Sequence, residues 1–169
     1  MRKTIGIQYG ALPYRIHGRR VEILLITSRA TRRWVIPKGW PMKGLRPQDA
    51  AAVEATEEAG LIGEIEDRPI GSYRYLKALK DGRCIAVQVI LFPFLVQGQE
   101  ESWKEMGQRE ASWFRYQRAA GRVAEPSLRR LIREFGKART PGVWASALSH
   151  RTIRWGLGLL RTSEPSRAA

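Results

Sequence analysis

The sequence predicts an α+β fold: a mixed β-sheet with one helix after a basic loop and another near the end of the chain. Three observations carry that prediction. Residues 21–28 (VEILLITS) form a β-branched, apolar run, and residues 84–96 (CIAVQVILFPFLV) are the most hydrophobic stretch of the chain. Between them lies a segment with Pro47 near its start and Gly60 just past its end, the placement that brackets a helix. Near the end, Leu128, Leu131, Ile132 and Phe135 recur at helical spacing between Pro126 and Gly136.

The elements follow in order. Residues 4–15 are strand-like, His17-Gly18-Arg19-Arg20 reads as a turn, and residues 21–28 return as the second arm of a hairpin. Residues 29–33 make a basic loop, and 34–36 a short strand that Pro37 terminates. After the first helix, residues 62–78 alternate enough for strands, broken at Pro69-Ile70-Gly71. Asp81-Gly82 signals the turn into the apolar stretch 84–96, which reads as a buried central strand holding Cys84, with Pro93 at a bulge or near its end. Residues 97–108 form a polar, acidic loop, and 112–114 a last short strand.

At 169 residues one domain is the default, and 43% hydrophobic with 27% charged residues is ordinary for a globular chain. The charge is unusual. A formal +14 and an isoelectric point near 10.8 imply attraction to polyanions: nucleic acid, anionic lipid or a small polyphosphate. One cysteine rules out a disulfide framework and points to a reducing compartment. No N-terminal apolar run suits a signal peptide, and no segment reaches the ~20 apolar residues of a membrane span. A soluble, cytoplasmic protein is the expectation.

The chemistry concentrates in residues 39–61, GWPMKGLRPQDAAAVEATEEAGL. Glu54, Glu57 and Glu58 stand at i, i+3 and i+4, so they share one helical face, with Ala52, Ala55 and Ala59 opposite. Like charges so placed repel, and the cluster is tolerable when a cation neutralises it. Hard divalent ions prefer carboxylate oxygens and keep waters and coordination positions for a phosphate. The small alanines would let the helix sit close against a sheet. The pattern reads as a metal-phosphate site.

At these residues the chain resembles the Nudix family of hydrolases, whose signature runs G, five residues, E, seven residues, R-E-U-x-E-E-x-G-U, with U a bulky aliphatic. Gly39, Glu54, Glu57, Glu58, Gly60 and Leu61 match in register; Ala55 departs mildly at a U position. Leu45 stands where the signature has its first Glu, and Val53 where it has Arg. Outside the box, Ser28-Arg29, Arg33-Trp34-Val35-Ile36-Pro37, Trp103, Arg109 and Trp113-Phe114 look like the branch that hydrolyses diphosphoinositol polyphosphates and dinucleoside polyphosphates. The resemblance covers roughly residues 4–136 and implies an α/β/α sandwich with a mixed sheet.

It further implies Mg²⁺ or Mn²⁺ as cofactor, with Glu54, Glu57 and Glu58 as ligands and Glu57 or Glu58 as the base that takes a proton from water. Glu101 and Glu105 are both candidates for an additional acid. Arg29, Arg33, Lys38 and Arg109, with Gly39, are the expected substrate contacts, since an arginine fork pairs two phosphate oxygens at once. The implied substrate is a small polyphosphate carrying a pyrophosphate linkage. In the resembled enzymes the signature Arg holds the glutamates by ion pairing, which Val53 cannot do, so turnover slower than that of the relatives is expected. A polyphosphate-binding domain without turnover ranks second and an RNA-directed protein third.

The domain is expected to span residues 1–138. Residues 139–169 interleave Trp144, Leu148, Ile153, Trp155, Leu157, Leu159 and Leu160 with Arg139, Arg151, Arg154 and Arg161. That pattern reads as a basic amphipathic extension ending in a disordered SEPSRAA. Packing on the domain or across a homodimer is preferred to contact with an anionic membrane, because Gly156 and Gly158 weaken an independent helix.

Overall fold

Long strands that are apolar on both sides must be covered from both sides, and that requirement sets the architecture. The computed structural model describes residues 5–79 and 81–142. In chain order its elements are β1 (Gly6–His17), β2 (Arg20–Thr27), β3 (Trp34–Val35), β4 (Lys38–Gly39), α1 (Pro47–Ala59), β5 (Leu61–Ile65), β6 (Gly71–Ala78), β7 (Cys84–Gln99), β8 (Ala111–Arg115), α2 (Tyr116–Arg122) and α3 (Pro126–Arg139).

The main sheet path runs β3-β2-β1-β7-β5, with β4 on β1, β6 on β7 and β8 on β2. β1 and β7 are parallel, from Gly6 opposite Val87 to Tyr14 opposite Leu95; the other pairs are antiparallel. β2 shows how the faces divide. Leu24 and Ile26 pack with Ala51, Ala55 and Ala59 of α1, while Ile23 and Leu25 pack with Leu128, Ile132 and Phe135 of α3. The result is the expected three-layer sandwich around a mixed sheet. No helix among the described residues is long and apolar enough to cross a membrane.

Several expectations need correction. Cys84 is exposed, because β7 begins at the tip of the β6–β7 hairpin and its buried alternation starts only at Val87. Pro93 lies inside β7, not near its end. Its carbonyl accepts the Glu66 N–H, so its missing N–H faces the gap between β5 and β6 and breaks no bond to β1. Ala51, not Ala52, completes the buried alanine stripe of α1. β4 and α2 were not legible in the sequence. Of the extension expected over 139–169, Arg139 instead ends α3, paired with Glu66, and residues 143–169 lie outside the described residues.

Gly136 does not stop α3, which continues to Arg139. It is instead the point where α2 crosses closely: a Cβ there would fall 2.1 Å from Tyr116 Cγ. An ordinary helical Gly→Ala change gains about 1 kcal/mol. Gly136→Ala should instead lose about 1–3 kcal/mol in urea unfolding, through overpacking. A gain would contradict the α2–α3 contact.

Candidate active site

α1 begins at Pro47, whose missing N–H costs nothing at a helix start, and ends at Gly60, which adopts φ 65° and returns its N–H to the Thr56 carbonyl at 2.8 Å. The last-turn carbonyls of a helix need donors from elsewhere. Here the chain between β7 and β8 supplies them: Gln99 Nε2 to the Ala59 carbonyl (2.9 Å), Glu100 N–H to Gly60 (2.8 Å) and Glu105 N–H to Glu57 (3.1 Å). The Trp103 indole lies against Gly60, where a Cβ would come within 2.5 Å of it. This docking delivers Lys104, Glu105 and Arg109 to the acidic face of α1.

The carboxylates are thereby divided among cations. Glu57 accepts from Lys104 Nζ at 2.7 Å. Glu58 accepts from the Arg109 guanidinium on one oxygen and from the Lys38 N–H on the other, at 3.1 Å. Glu105 accepts from Arg109 Nε at 2.7 Å and pairs with Arg29 at 3.2 Å. Glu54 has no ion pair among the described residues. It lies in the space left by the absent side chain of Gly39, where a Cβ would stand 1.6 Å from Glu54 Oε1.

Apart from Lys104, these groups line one cavity of about 530 Å³. Glu54, Glu57, Glu58 and Glu105 form its acidic wall; Arg29, Arg33, Lys38, Lys77 and Arg109 supply positive charge; Trp40, Tyr73 and Tyr75 add aromatic surface. Every expected substrate contact lines it, and so does Glu105. Glu101 is exposed and does not. Arg29 and Arg33 are half exposed and have donors to spare, whereas Arg109 is only 9% exposed and is occupied by Glu58, Glu105 and the Thr27 carbonyl. Trp40, Tyr73, Tyr75, Lys77, Lys104 and Glu125 were missed. Trp40 could have been noticed as the residue after Gly39; the others arrive through long-range packing that local pattern does not encode.

Burial pushes the Glu58 carboxyl up to about 7, while Arg109 and Lys38 pull it down. Burial, then Glu57 and Glu105, raise Glu54. Burial lowers Lys38. The metal set expected from sequence is not preassembled: among the described residues, no three His, Cys, Asp or Glu side chains are placed to hold an ion. Lys104 and Arg109 draw Glu57 and Glu58 aside, which relieves the repulsion along the helix. The residues still fit a hard divalent cation. The donors are all carboxylate oxygens, and Glu54 is a half-buried acid with acidic neighbours and, among the described residues, no direct ion pair.

The family model of the NUDIX domain matches residues 6–135. The chain is 29% identical over 117 residues to Nudix hydrolase 18, mitochondrial, of Arabidopsis thaliana, a match covering 65% of this chain and 64% of that protein. It is 31% identical over 111 residues to Nudix hydrolase 17, mitochondrial, of the same species, covering 62% and 59%. The chain thus spans less than two thirds of the length of these curated relatives. Among solved structures, a C. elegans Ap4A hydrolase binary complex is similar at a TM-score of 0.58 and 21% identity, covering 78% of this chain and 95% of that one. That likeness is one of fold.

Two outcomes test this geometry. Gly39→Ala should displace the flexible Glu54 side chain at little cost in stability, yet weaken Mn²⁺ binding by about tenfold in calorimetry; unchanged affinity would contradict the Gly39–Glu54 contact. The second concerns pH. The Glu58 carboxyl titrates near 7 when folded against an ordinary 4.5, so between those values the folded state holds the extra proton and stability falls as pH rises. Comparing melting temperatures at about pH 5.5 and about pH 7.5 without metal, Glu58→Gln should remove that component. Identical pH slopes for the two proteins would refute it.

Proposed function

This chain belongs to the NUDIX family, and on that premise we propose that it is a metal-dependent hydrolase of a pyrophosphate linkage in a small polyphosphate. The carrying observation is the division of one cavity between an acidic wall on α1 and a basic wall of Arg29, Arg33 and Lys38. A polyphosphate suits both: its oxygens would meet the cations, and the acids would hold the divalent ion that accompanies it. The substrate classes proposed are nucleoside polyphosphates, dinucleoside polyphosphates and diphosphoinositol polyphosphates. Ap4A, the substrate named for the C. elegans hydrolase of similar fold, is of the second class.

In the reaction, a water oxygen forms a bond to phosphorus, the bridging P–O bond breaks, and the departing phosphate keeps that electron pair. The water proton passes to a carboxylate, for which Glu58 and Glu57 are the candidates. Glu58 is the better candidate, because a base poised near neutral pH both accepts and releases a proton readily. Arg29 and Arg33 orient the phosphates through their unused donors. Glu54, Glu57 and Glu58, with Glu105 alongside, would hold Mg²⁺ or Mn²⁺, which supplies charge neutralisation on the phosphoryl oxygens and a more acidic water.

The second reading, ligand binding without turnover, draws its support from Val53 at the signature arginine position. One assay separates the two: phosphate release from diadenosine polyphosphates, diphosphoinositol polyphosphates and nucleoside triphosphates with Mg²⁺ or Mn²⁺. At least one should be hydrolysed, and Glu58→Gln should lower kcat by on the order of 10²-fold. Saturable binding with no release from any of them would leave the silent binder standing.

A further inference from the structure

Without an arginine at position 53, α1 has no cation in its last turn to offset Glu54, Glu57 and Glu58. The offsetting charge must come from outside the helix. Lys104 is exposed and reaches only Glu57. Arg109 differs from it in every respect. Its side chain is buried, and its guanidinium donates to Glu58 through Nη2, to Glu105 Oε2 through Nε at 2.7 Å and to the Thr27 carbonyl through Nη1 at 3.1 Å.

We propose that Arg109 is a positioning residue of the acidic wall. It holds Glu58 and Glu105 as an oriented pair and so makes Glu105, rather than Glu101, the additional acid of the site. The proposal rests on the hydrolase reading and deepens it.

Three features argue for positioning over direct phosphate contact. The fork is already engaged by two carboxylates and a carbonyl, whereas Arg29 keeps donors free at the cavity mouth. The anchor is the sheet: Thr27 ends β2, its N–H donates to the Glu110 carbonyl at 2.9 Å, and its Oγ1 accepts from the Glu110 N–H at 2.9 Å. Arg109 is therefore fixed at its backbone neighbour as well as at its side-chain tip. Finally, the basic loop bearing Arg29 leaves the same end of β2. One guanidinium thus sets the acidic wall relative to the strand that launches the basic wall. An arginine on α1 would orient the acids relative to their own helix only.

The test uses the full chain with Arg109→Gln, Glu105→Gln and the double variant. Where the Gln variant does not fold, Arg109→Lys replaces it, since lysine keeps the charge but lacks the fork. Mn²⁺ affinity is measured without substrate. Glu105→Gln should weaken it by about tenfold in the wild type and by less than about twofold once Arg109 is gone, because an acid no longer held in place has little left to lose. Independent, multiplying effects would overturn the proposal.

Kinetics supply the second readout. Arg109→Gln should lower kcat by about 10–100-fold with KM nearly unchanged. A rise in KM at constant kcat would mark a phosphate contact and overturn the proposal. A chain that binds Mn²⁺ but hydrolyses none of the panel would refute the hydrolase reading alone. The affinity cycle would still decide the role of Arg109.

Discussion

Three carboxylates within two turns of one helix, half-buried beside a fourth, repel one another, and most of the site architecture answers that repulsion. A helix can relieve such strain with its own basic residues at i±4, but α1 supplies none in its last turn. Relief comes from the chain between β7 and β8. Its backbone caps the open carbonyls of α1, its Trp103 packs on Gly60, and its lysine and arginine then meet the acids. Capping, packing and charge pairing are thus one event.

The rest of the fold makes that event reproducible. The alanine stripe Ala51, Ala55, Ala59 lets α1 approach the sheet closely, and the two-sided core fixes the sheet between helical layers. Gly39 then leaves room for Glu54 where any other side chain would collide with it. The electrostatics follow from placement. Acids and cations face each other across a cavity, so a ligand rich in negative charge and accompanied by a cation satisfies both walls.

How much of this was legible beforehand depends on the range of the interaction concerned. Pro47, Gly60 and the spacing of Glu54, Glu57 and Glu58 act within a few residues, and the helix they foretold stands where expected. The β1–β2 hairpin was legible for the same reason, since alternation and turn residues are local signals; the sandwich was expected from the family resemblance. Arg109 was read as a phosphate contact because sequence shows its charge and not its destination, 51 residues away at Glu58. Glu101 and Glu105 were indistinguishable for a similar reason: only loop docking decides which one faces the cavity. Gly136 misled because a glycine that stops a helix and one that admits a neighbouring ring look alike in a string of letters.

The break between β5 and β6 has its own consequence for the site. Residues 66–70 lie opposite only Phe92 and Pro93, and this uneven count inverts the strand: Leu61 and Ile65 look toward α1, whereas Tyr73 and Tyr75 look toward the opposite layer. Pro93, unable to donate, sits at this break and gives its carbonyl to the Glu66 N–H. An odd number of extra residues in a strand thereby decides which of its sides turns phenol rings to the cavity.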